Sequence, residues 1–146
     1  MKKTTLPVIG ISMGDPAGIG PEIFAKALAL EEIYGICRPI VVGDAGVMAD
    51  AVRFCGLDLQ TAARKRVAEA LFTCGTVDVF DLANLPLDRL RHKQVTAEQG
   101  RASFEYVAKV IELAMAGEIE ATVTGPINKA AINAGGFHYA GHTEIY

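Results

Sequence analysis

Short apolar runs recur along the chain and are separated by segments that mix apolar and polar positions. Four of these runs have the length of a strand: Val8–Met13, Pro39–Gly43, Val77–Leu82 and Ala121–Thr124. The first two are apolar almost without interruption, which is typical of strands buried on both faces of a parallel sheet. We therefore predict a sheet that contains these four strands.

The segments between the runs predict helices. Pro21 suits the first turn of one helix, and Asp44 suits the cap of a second helix, which Gly56 ends. Thr96 and Gln99 match a capping-box pattern ahead of a third, long helix. The apolar stripes of the three helices are formed by Ile23, Ala27 and Leu30, by Val47, Ala51, Val52 and Phe54, and by Phe104, Val107, Ala108, Ile111 and Ala114 or Met115.

The remainder of the chain is less regular. A fourth helix is predicted over 128–134, with Asn128 or Thr124 as its cap. A loop is expected to follow it as far as Gly141, with another helix opening at Thr143. Leu57–Thr76 resembles a solvated surface segment and receives no assignment, and His92 lies in a second charged stretch of the same kind. Strands that alternate with helices are typical of an α/β layered domain.

Composition excludes several classes of protein. Hydrophobic residues make up 51% of the 146 residues and the net charge is −3, which favours a globular chain over one with a broad basic surface for nucleic acid. No apolar run approaches the roughly 18 residues of a membrane helix. The three cysteines include no CxxC pair and indicate neither a disulfide framework nor a thiolate zinc site. We therefore expect a cytoplasmic protein that binds neither nucleic acid nor membrane.

The first candidate site segment is Gly14–Glu22, which connects the first strand to the first helix. Ligands of open α/β sheets bind beyond the carboxyl ends of the strands, where a glycine-rich turn lets the backbone approach them. The spacing of Gly14, Gly18 and Gly20 resembles a dinucleotide loop, in which Asp44 would bind the ribose. However, two prolines remove donors that a phosphate needs, and the Tyr-x-x-x-Lys pair of short-chain dehydrogenases is absent. A tight turn without a ligand is the structural alternative.

The second candidate segment, Thr124–Lys129, repeats this arrangement of strand end, Gly-Pro turn and helix start. Lys129 would stand near a helix N-terminus, where the helix dipole disfavours a cation, and an anionic partner would resolve that conflict. A solvated surface lysine is the simpler alternative. By position and charge, Asp15 and Lys129 are the candidate catalytic residues.

The last segment contains two histidines, His138 and His142. Their spacing of four would suit a metal pair on a helix, but Gly136 and Gly141 argue against a continuous helix there. His142 and Thr143 instead offer a ring nitrogen and a hydroxyl at a loop-to-helix junction. A helix cap is the structural alternative for Thr143.

Together, these segments resemble the signatures of the 4-hydroxythreonine-4-phosphate dehydrogenase family. Gly14–Glu22 is similar to the family's N-terminal signature, and Thr124–Lys129, followed by Ala140–Glu144, is similar to its second one. Both stand in the expected order, and Gln99–Ile119 resembles the long helix between them. The resemblance therefore covers essentially the whole chain.

The resemblance implies a three-layer α/β/α fold related to isocitrate and isopropylmalate dehydrogenases. It implies that residues 1–146 are the N-terminal portion of a two-domain subunit, that the second domain is absent from this chain, and that the subunit forms a homodimer. His142 and Thr143 match the family's substrate-binding pair. The family's metal-binding histidines lie downstream of Tyr146, so we expect no metal ligand here and no activity of this chain by itself.

The implied reaction is the NAD- or NADP-dependent oxidation of 4-phosphooxy-threonine, with a divalent metal ion (Zn, Mg or Co) as Lewis acid. The product would be a 3-keto acid that loses CO2 to give an amino-oxopropyl phosphate in vitamin B6 biosynthesis. The first alternative is a relative that acts on D-threonate or D-erythronate 4-phosphate in sugar-acid catabolism. A non-catalytic N-terminal fragment and a nucleotide binder of the short-chain-dehydrogenase type are the others.

Overall fold

The computed structural model describes residues 5–146, in which strands and helices alternate along the chain. The strands are β1 (Val8–Ser12), β2 (Arg38–Gly43), β3 (Gln60–Arg64), β4 (Thr76–Asp81) and β5 (Ala121–Thr124). The helices are α1 (Gly20–Ala27), α2 (Glu31–Ile36), α3 (Ala45–Phe54), α4 (Ala97–Met115), α5 (Lys129–Ala134) and α6 (His142–Ile145). Within residues 5–146, no helix combines the length and the apolarity needed to cross a bilayer.

The five strands form one parallel sheet in the order β3-β4-β2-β1-β5. Ile11 of β1 lies opposite Val41 of β2 on one side and opposite Val123 of β5 on the other. Strands β1 and β2 are buried along almost their whole length. This confirms the prediction that their continuous apolar runs belong to strands covered on both faces.

Two apolar clusters lie on opposite faces of the sheet because successive side chains of a strand alternate between the faces. The larger cluster includes Ile11, Val41 and Val79 from the strands with Phe24 of α1 and Met48 of α3. The smaller cluster includes Val8, Ile40 and Val42 from the strands with Val110 and Leu113 of α4. Helices therefore cover both faces, which confirms the predicted α/β class and its layered arrangement.

Two elements, α2 and β3, were not predicted. No residue of α2 is buried, so it lacks the apolar stripe by which a helix is recognised, and Leu30, expected in the first helix, is instead the N-cap residue of α2. Strand β3 is the edge of the sheet and lies in the segment that received no assignment. Its residues are half-buried or exposed, and it is held partly by Arg64, whose Nε donates to Asp78 Oδ1 at 2.7 Å.

The predicted helix caps are formed largely as expected. Asp44 Oδ1 accepts from the Val47 backbone N–H at 3.1 Å, and Thr96 Oγ1 accepts from that of Gln99 at 3.2 Å. Asn128 caps α5 in the same way. The capping box at Thr96 is incomplete, because the side chain of Gln99 is bonded to the preceding loop.

Replacing Ile40, which is fully buried in β2, by Ala should lower the free energy of unfolding by about 2–5 kcal/mol, because a cavity would remain between the sheet and α4. Met115 is 84% exposed at the end of α4. Met115→Ala should therefore change the free energy of unfolding by less than about 0.5 kcal/mol. Equilibrium denaturation in urea measures both values. Equal losses would contradict the burial of Ile40 between the sheet and α4.

Candidate functional site

The strand order places a topological switch point between β1 and β5. From β1 the chain crosses to β2 on one side, and after β4 it returns through α4 to β5 on the other side. In open α/β sheets the crevice at such a point, beyond the carboxyl ends of the strands, is where ligands bind. Both candidate segments lie there, because Gly14–Glu22 follows β1 and Gly125–Lys129 follows β5.

The two segments are bonded to each other through their backbones. Gly125 N–H donates to the Ser12 carbonyl at 2.8 Å, and Asp15 N–H donates to the Pro126 carbonyl at 2.8 Å. Gly14 has a φ of +79°, and a Cβ atom on it would lie 2.5 Å from the Pro126 carbonyl oxygen. Only glycine combines this left-handed conformation with so close an approach. The junction of the two motifs is therefore rigid backbone.

Two adjoining depressions open at this junction. The notch has a volume of about 560 Å³ and lies between the two segments, where Asp15, Pro126, Asn128 and Lys129 line it. The wide groove has a volume of about 630 Å³ and extends toward α3, where Phe54, Asp50 and His92 line it. Asp15, Gly18, Ile19 and Asn128 line both. The glycine-rich turn is thus the ridge between the notch and the wide groove.

Asp15 is half-buried on this ridge. Its Oδ1 accepts from the Ala17 backbone N–H at 2.9 Å. Burial raises the pKa of Asp15 above its ordinary value, while the Ala17 N–H and the nearby His92 act in the opposite direction. A carboxyl group with a raised pKa, facing a cleft, is suited to accept a proton from a ligand.

Lys129 is the first residue of α5, directly after the Asn128 cap. Its side chain is exposed and forms no ion pair within the described part of the chain. A Cβ atom on Gly141 would lie 4.0 Å from Lys129 Nζ, so the ammonium group reaches the start of α6. The structure therefore brings Lys129 to the notch and close to the residue that precedes His142.

His142 begins α6 and packs against the second motif. Burial lowers its pKa, and the adjacent Gly125 backbone partly opposes this effect. Its Nε2 atom is buried and has no hydrogen-bond partner among residues 5–146. The ring is therefore neutral near pH 7, and its buried Nε2 has an unused capacity for a hydrogen bond.

Thr143 lies one residue further on and is exposed. The cap of α6 is Gly141 rather than Thr143, and the helix begins at His142, so the capping alternative for Thr143 is wrong. Glu144 Oε2 accepts from the Ala140 N–H at 2.8 Å, which closes this short loop. The Thr143 hydroxyl is left without a structural role in the turn.

The position of α5, and with it that of Lys129, is fixed by direct contact with α4. A Cβ atom on Gly100 of α4 would collide with the Ala131 carbonyl group, so the two helix backbones touch at this point. The following loop is held by the ring of Phe137, which stacks on Phe104 of α4 with a centroid distance of 3.8 Å. Sequence reasoning placed Phe104 on an apolar stripe but did not indicate this contact.

The dinucleotide-loop alternative does not fit the position of Asp44. This residue is 6% exposed, and both carboxylate oxygens are occupied, Oδ1 by the Val47 N–H and Oδ2 by the Leu85 N–H at 3.2 Å. Its carboxylate therefore caps α3 and hydrogen-bonds the backbone of the segment that follows β4. Because the residue is buried, its carboxylate is not accessible to a ribose.

His92 was interpreted as part of a charged surface stretch, and its side chain is 60% exposed, as expected. The residue lines the wide groove, and its Nε2 lies 3.7 Å from Asp50 Oδ2 of α3. No local pattern could have indicated this, since residues 42 positions apart in the chain meet only through the fold. By contrast, His138 lies in the loop before α6 and not on one helix with His142, as predicted.

The described residues contain no group of three or more His, Cys, Asp or Glu side chains placed to hold a metal ion. The fold is that of a parallel α/β protein whose candidate site lies at the switch point between β1 and β5.

Comparison with known proteins identifies the family. The family model described as "Pyridoxal phosphate biosynthetic protein PdxA" matches residues 35–146, and the chain belongs to this family. A protein of Symbiobacterium thermophilum, provisionally named D-threonate 4-phosphate dehydrogenase, is 49% identical over 142 residues, which cover 97% of this chain and 42% of that relative. A Clostridium botulinum protein with the same provisional name is 46% identical over 139 residues, 95% of this chain and 42% of the relative.

A solved structure agrees with these relatives. The crystal structure of a 4-hydroxythreonine-4-phosphate dehydrogenase from Burkholderia phymatum is 42% identical and superposes with a TM-score of 0.94, over 97% of this chain and 43% of that one. The chain therefore spans less than half the length of the relatives that it matches. The family resemblance inferred from the two motifs is confirmed.

Gly14→Ala should destabilise the chain more than Gly56→Ala. Both glycines have a positive φ, so each variant should lose about 1–2 kcal/mol through backbone strain. At Gly56 the new methyl group would enter open space, whereas at Gly14 it would press on the Pro126 carbonyl. Urea denaturation measures the loss in the free energy of unfolding for each variant. The excess loss in Gly14→Ala reports the close contact between the two motifs, and identical losses in the two variants would contradict that contact.

Proposed function

We propose that the protein containing this chain is a dehydrogenase that oxidises a phosphorylated four-carbon hydroxy acid with NAD or NADP. The observation that supports this best is the meeting of both motifs at the switch point, where Asp15 and Lys129 line the notch and His142 lies beside Gly125 of the second motif. The names of the relatives, dehydrogenases of four-carbon 4-phosphates, support the same reaction class.

Lys129 would bind an anionic group of the substrate. Its ammonium group is exposed beside the notch, and no carboxylate of the described chain neutralises it. A phosphate or carboxylate bound there would also relieve the unfavourable position of a cation at the start of α5. His142 and Thr143, which match the family's substrate pair, would bind the hydroxyl groups or the phosphate from the other side.

Asp15 would accept the proton that leaves the substrate hydroxyl. In the oxidation of a secondary alcohol, the carbon loses a hydride and the oxygen loses a proton, so a base near the reacting carbon is required. The carboxylate lies on the ridge between the notch and the wide groove, so that a substrate in either depression would lie next to it. Its raised pKa makes it a stronger base than an ordinary aspartate.

The nicotinamide cofactor would supply the hydride acceptor when bound. The wide groove adjoins Asp15, and its apolar side chains Ile19, Phe54 and Val95 are each more than 40% exposed, so they fit the face of a flat ring. A volume of about 630 Å³ lies within the range of small-molecule sites. The divalent metal ion that the family implies does not fit the described residues, which contain no suitable ligand cluster.

The proposal applies to a two-domain, homodimeric and cytoplasmic enzyme in which this chain is the N-terminal portion. The coverage of 42–43% of the relatives named above supports a longer enzyme. The homodimer and the cytoplasmic location rest on the family resemblance alone. A non-catalytic N-terminal product is the remaining alternative. Intact-mass analysis distinguishes the two, because such a product would have a mass of 15.5 kDa in its natural source.

Two substrates remain to be separated, 4-phosphooxy-threonine and D-threonate 4-phosphate. They differ at carbon 2, which carries an ammonium group in the first and a hydroxyl group in the second. The names of the two curated relatives favour D-threonate 4-phosphate. Reduction of NAD and NADP by the whole enzyme should be measured with each substrate and with D-erythronate 4-phosphate. No turnover of any of them would overturn the proposed function.

His142→Ala in the whole enzyme should lower kcat/KM by about 10- to 150-fold, which corresponds to the loss of one hydrogen bond to a charged group. His138→Ala is the matched control, because His138 is an exposed histidine in the preceding loop. Steady-state kinetics with the preferred substrate measure both. Equal kinetics in the two variants would remove His142 from the site.

A further inference from the structure

Asn128 lies where the two depressions of the candidate site meet. It follows the Gly-Pro turn after β5 and lines both the notch and the wide groove. Its side-chain Oδ1 accepts from the Ala131 backbone N–H at 3.0 Å and so caps α5. One end of the side chain is therefore held by the helix, and the residue as a whole is accessible from the cleft.

The cap determines which end of the amide group is available to a ligand. An amide carries an acceptor oxygen and a donor nitrogen on the same carbon, and exchanging them would set the NH2 group against the Ala131 N–H. With Oδ1 bonded to the helix, Nδ2 is the free end. Within residues 5–146 this nitrogen donates to no acceptor, and it is not among the buried atoms. Asn128 therefore presents an unused donor in a fixed orientation.

Gln99 illustrates how an amide with a purely structural role is used in this fold. It is fully buried, its Oε1 accepts from the Arg91 N–H at 2.6 Å, and its Nε2 donates to the Gln94 carbonyl at 2.9 Å. The cap formed by Asn128 uses the oxygen alone, and Asp or Ser would serve about equally well there. Capping therefore leaves the amide nitrogen without a structural role.

The composition of the notch leaves few donors for an anion. Asp15 lines the notch, its Oδ1 is bonded to the Ala17 N–H, and its negative charge opposes an anion beside it. Asn128 and Lys129 are the described lining residues whose side chains carry N–H donors. The others are glycine, alanine, proline and isoleucine: Gly18, Ile19, Pro126, Ile127 and Ala130.

We propose that Asn128 is a substrate-binding residue whose Nδ2 donates to an oxygen of the substrate's anionic group, beside Lys129. This inference rests on the proposed function, in which Lys129 binds that group in the notch. An ammonium group on a flexible stem supplies charge but little directional preference. The amide, held by its cap, supplies the direction. The chemistry recognised is that of an oxyanion, either the phosphate or the carboxylate of the phosphorylated acid.

Three substitutions at Asn128 separate capping from binding. Asn128→Asp and Asn128→Ser retain a good cap, so the midpoint of urea denaturation should stay near that of the wild type, whereas Asn128→Ala should lower it. Asn133→Asp is the matched control for the added charge. Asn133 is exposed on the same helix and does not line either depression.

Binding of the preferred phosphorylated acid to the whole enzyme is then measured by calorimetry, with NADH or NADPH present so that no oxidation occurs. Asn128→Ser should raise the Kd by about 10- to 150-fold, which corresponds to the loss of one hydrogen bond to a charged group. Asn128→Asp should raise it further, because it adds a like charge, and Asn133→Asp should change it little. An unchanged Kd in both Asn128 variants, or an equal rise in Asn133→Asp, would overturn the inference.

Inorganic phosphate, added as a competitor, distinguishes the two anionic groups of the substrate. Its inhibition constant should rise in Asn128→Ser if the phosphate binds at Asn128, and should stay unchanged if the carboxylate does. The inference and the proposed function fail separately. Binding that weakens in the Asn128 variants without any turnover overturns the proposed function, whereas turnover with an unchanged Kd in these variants overturns the role of Asn128. No binding of any phosphorylated acid overturns both.

Discussion

The backbone contact between the turn after β1 and the turn after β5 is the constraint on which the rest of the site depends. Parallel pairing brings the ends of the two strands side by side, and the bonds from Gly125 to Ser12 and from Asp15 to Pro126 then extend the pairing into the turns. A side chain at Gly14 would push the turns apart. Because this contact consists of backbone atoms, Asp15 and Asn128 hold their positions without needing support from each other.

Contacts made by α4 determine the positions of Lys129 and His92. The close approach of α4 and α5 at Gly100 sets the direction of α5, and Lys129 stands at its first residue. The start of α4 also holds the loop of His92 through Gln99. One long helix thus supports groups on both sides of the glycine-rich ridge, although none of its residues lines the notch or the wide groove.

Burial and charge act in opposite directions in this cleft. Partial burial favours the neutral forms of both Asp15 and His142, while nearby dipoles and charges counteract it. The result is a carboxyl group suited to accept a proton and a neutral imidazole suited to hydrogen-bond a ligand, with an exposed ammonium group close by.

The sequence by itself determined four of the parallel strands, the helix caps at Asp44 and Thr96, and the family, because each depends on residues close together in the chain. Apolar runs and capping patterns are local, and the two motifs are short and contiguous. The edge strand β3 and helix α2 escaped prediction, since neither has the buried stripe on which pattern reasoning relies.

Only the tertiary structure decided which motif residues share a cleft and what surrounds them. The switch point between β1 and β5 exists because the chain returns through α4 to the far side of β1, and no local pattern encodes that choice. The fold also brings His92 and Asp15 into the lining of one groove and engages both oxygens of Asp44 in structural bonds. Long-range packing sets these distances and burials, and the charge state of a side chain follows from them.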